Sequence, residues 1–491
     1  MGICSRSLPA LVVAGAARAR LRLSLALALS LGASCGPSGT MDPDPGVIPE
    51  RVSVSLDSET RYQTMQGFGA SVAFEISFLS NHPNRDELYQ LLFPDLGIQI
   101  LRVANWYRNS QAPGNPEDLS DFNGTAAVVA GARAALGHDP AILMSSWSPP
   151  PSIKNITSFV GGTLGQAGGA YRYGDFGAWW RSALDAYAAA GVVPTFVSIQ
   201  NEPDFVPTGR STWSACRIDP NEDLARNAGY GPALQAVAAA TADLVPRPLL
   251  IGPEVSGIAG TMVSSYLDAL AAQGLLDQLG GIAHHLYNGG NASLPASFTG
   301  GMAAVAGDAR GKPLFQTEFG PSPVDMFNVA WLIQNAVTVE GVSAYLHWDL
   351  IWGDNLASTN PQGLVSLENP TSPARWQTSR GYRINDAYYA VRHFAKWIDA
   401  GWQRVAATPD SSVIRASAFV APDGNSLTVV LINTDTNPHT VALDPGAFAF
   451  ASSAIYRTSG TDERTAALGP LAEGHTVAMP ARALATVTLG P

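Results

Sequence analysis

The sequence predicts an α/β fold, a (β/α)8 TIM barrel with an attached antiparallel β-sandwich domain. Three observations lead there. Eight short apolar runs alternate with helix-compatible stretches between residues 65 and 401, and the pattern switches to a period of two after Trp402. The 491 residues suffice for one barrel of about 250 residues or more plus a smaller β domain. At 46% hydrophobic and 14% charged residues, the chain can bury a core and is not intrinsically disordered. A formal charge of −11 removes the basic footprint of a nucleic-acid binder, so no nucleic-acid partner is expected, and 11 Trp at low charge suit neutral ligands.

The amino-terminal segment, residues 1–34, reads as an export signal. It holds Arg6, Arg18, Arg20 and Arg22, no acidic residue, and an apolar run from Leu21 to Leu29 too short to span a bilayer. Gly32-Ala33-Ser34 precede Cys35 as a processing site requires, and the arrangement resembles a bacterial lipoprotein signal, with Leu31 one position further from the cysteine than that pattern has it. Cys35 is therefore a lipidation candidate and the one expected route to a membrane. The expected location is exported, either secreted or at the outer surface of a bacterium, as a monomer. Loss of the four arginines takes the net charge from −11 to −15. Residues 35–49, rich in Gly, Pro, Ser and Asp, read as a flexible tether. Cys4 leaves with the signal and Cys216 is the one thiol inside the folded part, read as a small buried side chain, so stability rests on the core and not on disulfides.

Residues 50–64 carry a period-two pattern around Val52 and Val54 and are expected to add a strand to the β-sandwich. The barrel follows over 65–401. Its strands are expected at 67–74, 98–104, 141–147, 193–200, 248–253, 281–287, 313–318 and 342–348, with helices at 176–190, 223–244, 262–276, 324–339 and 380–397. Over 402–491, strands at 413–420, 426–433, 439–443, 475–479 and 483–489 read as the sandwich.

Three motifs mislead. Gly32-Ala33-Ser34-Cys35-Gly36 fits the nucleophile-elbow pattern but lies in the export signal, and Gly67-Phe68-Gly69 lacks the third glycine of a dinucleotide fingerprint, position 72 being Val. His284-His285 look like metal ligands, yet successive strand residues face opposite ways, so at most one faces the barrel interior. No metal or organic cofactor is called for. The chemistry lies in carboxylates at strand ends. Glu202 closes strand four in Gln200-Asn201-Glu202-Pro203 and Glu318 closes strand seven in Gln316-Thr317-Glu318-Phe319, three βα units apart, so both face one barrel mouth. Two inward carboxylates are expensive unless they are used or paired.

Asn201-Glu202-Pro203 and Thr317-Glu318-Phe319-Gly320 resemble the acid/base and nucleophile motifs of the retaining glycoside hydrolases built on this barrel. Gln66-Gly67-Phe68-Gly69-Ala70-Ser71, Leu101-Arg102-Val103, Ser145-Ser146-Trp147-Ser148-Pro149-Pro150 and His285-Leu286-Tyr287 narrow the resemblance to glycoside hydrolase family 30, over nearly all of residues 50–491. The resemblance implies Glu318 as nucleophile, stabilised in its ionised form by Arg102 and the Tyr287 hydroxyl, and Glu202 as acid and then base. It implies Asn201 on the sugar hydroxyl beside the reacting carbon. Trp147 and Trp348 are implied as platforms for pyranose rings; from their places in the sequence, Trp106 and Trp352 are candidate further subsites and Glu254, after strand five, is another mouth-facing acid.

Family 30 includes xylanases, glucosylceramidases, β-1,6-glucanases, β-1,6-galactanases and exo-acting glycosidases, so substrate is not settled by fold. The barrel-plus-sandwich layout is most similar to bacterial xylanases. Members that need a glucuronate branch carry an Arg-rich segment after strand eight; this chain has His347-Trp348-Asp349-Leu350-Ile351-Trp352 there. The expectation is a retaining endo-β-1,4-xylanase without strict dependence on the branch, acting on a polysaccharide or oligosaccharide. The alternatives are another β-glycosidase of the family, or a non-catalytic carbohydrate-binding lipoprotein, which the presence of both carboxylates argues against.

Overall fold

The computed structural model describes residues 49–109, 120–208, 213–322, 324–353, 361–460 and 462–491. The export signal expected over 1–34, Cys35 and all of the tether but Pro49 lie outside them. No described helix is long and apolar enough to cross a membrane.

Eight parallel strands close a barrel in chain order: Gly67–Ser71, Ile100–Ala104, Ala141–Ser145, Phe196–Ser198, Leu249–Val255, Gly281–His285, Leu314–Glu318 and Ala344–His347. Each is buried on nearly every residue, because barrel strands are covered by side chains inside and helices outside, and this is why they read as continuous apolar runs. Ile100, Leu143, Phe196, Ile251, Ala283, Phe315, Ala344 and Leu346 fill the interior. The first two strands approach so closely that a Cβ at Gly69 would stand 2.2 Å from the Ile100 carbonyl oxygen, which accounts for glycine there.

Helices follow the strands and cover the barrel. Phe122–Leu136 begins where the Asp121 side chain accepts from the Gly124 N–H (2.7 Å) and ends at Gly137 with φ 76°; Met326–Asn335 starts on the same device, Asp325 accepting from Asn328 N–H at 2.9 Å. The helix expected over 223–244 is shorter, Tyr230–Ala240. Asp223 binds back onto Asn227 and Ala225, and Ala228–Gly229 pairs with Ile218–Asp219, so residues 223–229 form a turn and a short strand.

The carboxyl-terminal half-domain is one nine-stranded, mostly antiparallel sheet. Its order is Glu463–Gly469, Ser452–Ser459, Leu484–Gly490, Leu427–Asn433, Ile414–Val420, Gln403–Pro409, Glu50–Thr64, His439–Asp444 and Thr476–Met479. Glu50–Thr64 pairs antiparallel with Gln403–Pro409 and parallel with His439–Asp444. The strands at 403–409, 452–459 and 463–469 were not expected from the sequence pattern. Leu427–Asn433 is buried throughout: Leu427, Val429 and Leu431 join the sheet's own core, while Val430 and Ile432 join the core shared with the barrel. Helix Asp386–Ala395 seals this seam through His393, whose ring nitrogens meet Thr486 Oγ1 and Thr458 Oγ1, both at 2.8 Å. Thr486 already donates to the His393 carbonyl and Thr458 already accepts from Thr465 N–H. Those commitments assign the ring a proton on Nδ1 and an accepting Nε2.

Candidate active site

The carboxyl ends of the barrel strands open into a cleft of about 420 Å³ whose lining includes Trp147, Asn201, Glu202, Tyr287, Glu318 and Trp348. Glu318 is the last residue of strand seven. Its Oε2 accepts from Arg102 Nη1 at 2.6 Å and its Oε1 from the Tyr287 hydroxyl at 2.7 Å. Arg102, fully buried on strand two, also donates through Nε to Glu254 Oε1 (3.1 Å) and through Nη2 to Asn201 Oδ1 (2.5 Å), and its guanidinium lies 4.5 Å from the Trp147 ring centroid. One cation thus fixes two acids, an amide and an indole.

Glu202 stands beyond strand four in a left-handed conformation, φ 44°. Its N–H donates to the Glu254 carbonyl at 3.0 Å, its own carbonyl accepts from Phe205 N–H at 2.9 Å, and Asn201 N–H is held by the Ser146 carbonyl at 2.7 Å. Glu254 is left-handed too, φ 62°, so two strained residues clasp each other at the base of the mouth, a pattern that concentrates at functional sites. The clasp turns the Glu202 carboxyl into the cleft, where Oε1 accepts from His285 Nδ1 at 3.0 Å.

Oxygens of Glu202 and Glu318 come within 4.8 Å of each other, and a His285 nitrogen lies within the same span of both. Burial raises the Glu202 pKa above the ordinary carboxylate value; the His285 hydrogen bond and charge oppose this, while the Glu318 charge adds to it. Burial disfavours a charged His285, but Glu318, Glu202 and Glu254 outweigh it and push its pKa up to about 10. An imidazolium has no lone pair to give, so although Glu202, His285 and Glu318 could reach one cation by distance, His285 in that state is a hydrogen-bond donor and not a ligand. Glu254 would be raised by burial, yet Arg102 and His285 hold it down at about 2.

The predicted residues sort into three positions. Arg102, Asn201, Glu202, Tyr287 and Glu318 come together with Trp147 and Trp348, whose rings lie 5.8 Å apart. Trp352 lines the cleft further out, 6.4 Å from Trp213. Two expectations are corrected. Trp106 is not a subsite: it is 1% exposed, lies outside the cleft lining, and donates Nε1–H to the Ala73 carbonyl at 3.0 Å. Glu254 is not mouth-facing; it is fully buried and serves Arg102 and His285 from below. His284 turns outward to a buried hydrogen bond with Glu340, leaving His285 as the inward member of the pair. A His-His pair in sequence gives His285 no role by itself. Nor does the sequence single out Phe74, whose ring touches those of Trp106, Trp147, Trp213 and Trp348 at 5.1–5.8 Å and fills the space between them.

No protein-family model matches the sequence. Solved structures do match. The catalytic domain of a GH30 xylanase C from Talaromyces cellulolyticus is similar at 19% identity and a TM-score of 0.69, over 89% of this chain and 100% of that one. A glycoside hydrolase family 30 subfamily 8 xylanase from Clostridium acetobutylicum gives 20% identity and 0.63, again over 89% and 100%. An endo-β-1,6-glucanase gives 16% and 0.67, over 89% of this chain and 94% of that one. With its closed eight-stranded parallel barrel and attached, mostly antiparallel sheet, this chain has the fold of the family 30 glycoside hydrolases.

Proposed function

We propose that the protein is a retaining glycoside hydrolase that cleaves a β-linked polysaccharide by double displacement, and that it acts as an endo-β-1,4-xylanase without strict dependence on glucuronate branches. One observation carries the reading: two carboxylates, with an oxygen of one within 4.8 Å of an oxygen of the other, across an aromatic cleft and in opposite surroundings. Retaining glycosidases hold their two carboxyl groups about 5–5.5 Å apart, whereas inverting ones leave ~6.5–9.5 Å for a water.

The roles follow from the partners. Glu318, facing a guanidinium and a phenol, is set up as the anion that attacks the anomeric carbon, forming a glycosyl ester as the aglycone leaves. Glu202, whose pKa burial raises, supplies the proton to the departing oxygen. The charges balance this way: Arg102 and His285 offset ionised Glu254 and Glu318, and a neutral Glu202 leaves the cluster uncharged. Esterification of Glu318 removes one negative charge, the balance turns positive, and Glu202 is driven to ionise. In that form it takes a proton from water, which attacks the ester and regenerates Glu318. Asn201, its amide oxygen taken by Arg102, has N–H groups for the neighbouring sugar hydroxyl.

No arginine or lysine lines the cleft among the described residues, which supports a neutral sugar there, since a uronate calls for a bidentate cation. The similarity to an endo-β-1,6-glucanase supports a second reading, a β-1,6-glycanase. Hydrolysis of xylan, β-1,6-glucan, β-1,6-galactan and aryl β-glycosides, with product sizing and the anomeric configuration followed by NMR, separates the two. Glu318→Ala and Glu202→Ala should each lower turnover by at least about a hundredfold with the fold intact. Near-normal rates in either variant, or an inverted product, sink the proposal.

A further inference from the structure

A second cavity, about 500 Å³, lies between helix Met326–Asn335 with its continuation to Glu340 and the strands Gln403–Pro409 and Ile414–Val420, and none of its lining residues lines the cleft. Two arginines face it, Arg404 and Arg415. Arg404 lies 3.6 Å from the Tyr62 ring centroid and donates Nε–H to Gln63 Oε1 at 2.9 Å. Arg415 lies 4.8 Å from the centroid of Trp331, and its Nε–H is buried with no acceptor. An aromatic face fixes the plane of a guanidinium without neutralising it. Among the described residues neither arginine has a carboxylate acting on it: burial lowers both pKa values, and for Arg404 only Tyr62 works the other way.

Asp410 is the one acid in the lining, and its Oδ1 is engaged by Ser53 N–H at 3.0 Å. The wall is completed by hydroxyl groups, among them Thr338, Ser412 and Ser417. Two cations and one anion leave a single positive charge, which matches a monoanion and disfavours a dianion such as phosphate. A fixed guanidinium can pair bidentately with a planar carboxylate, and hydroxyl-lined walls suit a polyol. The volume falls in the ~300–1,000 Å³ range of small-molecule sites. From this combination we propose that the cavity binds a carboxylate-bearing sugar, a uronate unit of an acidic glycan, at a site separate from the cleft. The inference stands apart from the reading of the cleft.

Titration of the full chain with methyl β-D-glucuronoside, methyl β-D-glucoside, inorganic sulfate and inorganic phosphate, followed by ligand-observed NMR, tests it. The glucuronoside should bind at least tenfold more tightly than any of the other three. Arg415→Gln should weaken that binding at least tenfold, while Glu318→Ala in the cleft leaves it unchanged. Because Arg415 also packs on Trp331, Ser412→Trp provides a second probe, filling the cavity from an exposed position and giving the same loss. The proposal is overturned if the glucuronoside binds no better than the glucoside, if sulfate or phosphate binds as tightly, if both cavity variants bind as the parent does, or if Glu318→Ala abolishes binding.

Discussion

Replacing His285 by glutamine isolates the charge that faces the acid. The imidazolium donates to Glu202 at 3.0 Å and lies 3.9 Å from Glu318. It favours ionised Glu202, against burial and the Glu318 charge, which favour the protonated form and prevail. Glutamine keeps a donor of similar reach but loses the charge. Both donors bond a charged carboxylate, a class of hydrogen bond that contributes about 1.5–3 kcal/mol, with the charged imidazolium toward the top of that range and the neutral amide toward the bottom. The variant therefore loses roughly 1–1.5 kcal/mol of preference for ionised Glu202, equivalent to about one pH unit. With Glu202 as the proposed acid, protonated for the first step, the alkaline limb of kcat/KM should move up by about one pH unit. The assay is hydrolysis of a soluble aryl β-glycoside across the acid and alkaline range at constant ionic strength. In the proposed second step Glu202 ionises, so the variant should also show a larger product burst on the acid side. A limb that stays put or moves down refutes the idea that His285 acts on Glu202 through its charge.

Three further substitutions have expected outcomes. Trp348→Ala should raise KM about tenfold, the loss of ~1.4 kcal/mol of ring contact, whereas Trp106→Phe should leave KM unchanged and cost about 1 kcal/mol of stability for its lost hydrogen bond to Ala73; steady-state kinetics and chemical denaturation check the pair, and a KM effect in Trp106→Phe would count against its burial. Burial holds the His393 pKa down at about 3, so the unfolded chain binds a proton there more readily than the folded one. The stability it lends is whole above about pH 6.5, shrinks as pH falls, and is gone by about pH 3. His393→Gln should flatten the acid limb of a stability-against-pH curve, and an unchanged slope would contradict the assignment.

The barrel was legible because its strands are covered on both sides, so each reads as an uninterrupted apolar run. The missed sheet strands lack that signature: Glu463–Gly469 is half-buried or exposed along its length, and Gln403–Pro409 has one fully buried residue, Val405. At the site, Glu202, Glu318 and Arg102 were found because they end or line strands whose direction the pattern fixes. His285 carried no such cue, since a His-His pair says only that one member faces inward. Trp106 and Trp147 look alike in sequence; what separates them is Phe74, packed against both, leaving Trp147 in the cleft lining and Trp106 out of it. The fit of Glu254 beneath Arg102 depends on a left-handed turn at a non-glycine residue, which no propensity announces.

The strand Glu50–Thr64 is an interior strand of the sheet, Asp57 opposite Ala406 on one side and Arg51 opposite Thr440 on the other. A chain emerging amino end first therefore holds this strand with both edges open while the whole barrel is made behind it. Such distant pairing is slow to form, and until residues 402–491 arrive the open edges invite association with other chains. A piece cut at the end of the barrel would keep those edges permanently and would uncover the seam that Val430, Ile432 and Leu484 seal. The expected product of that cut is an aggregating fragment, not a smaller enzyme.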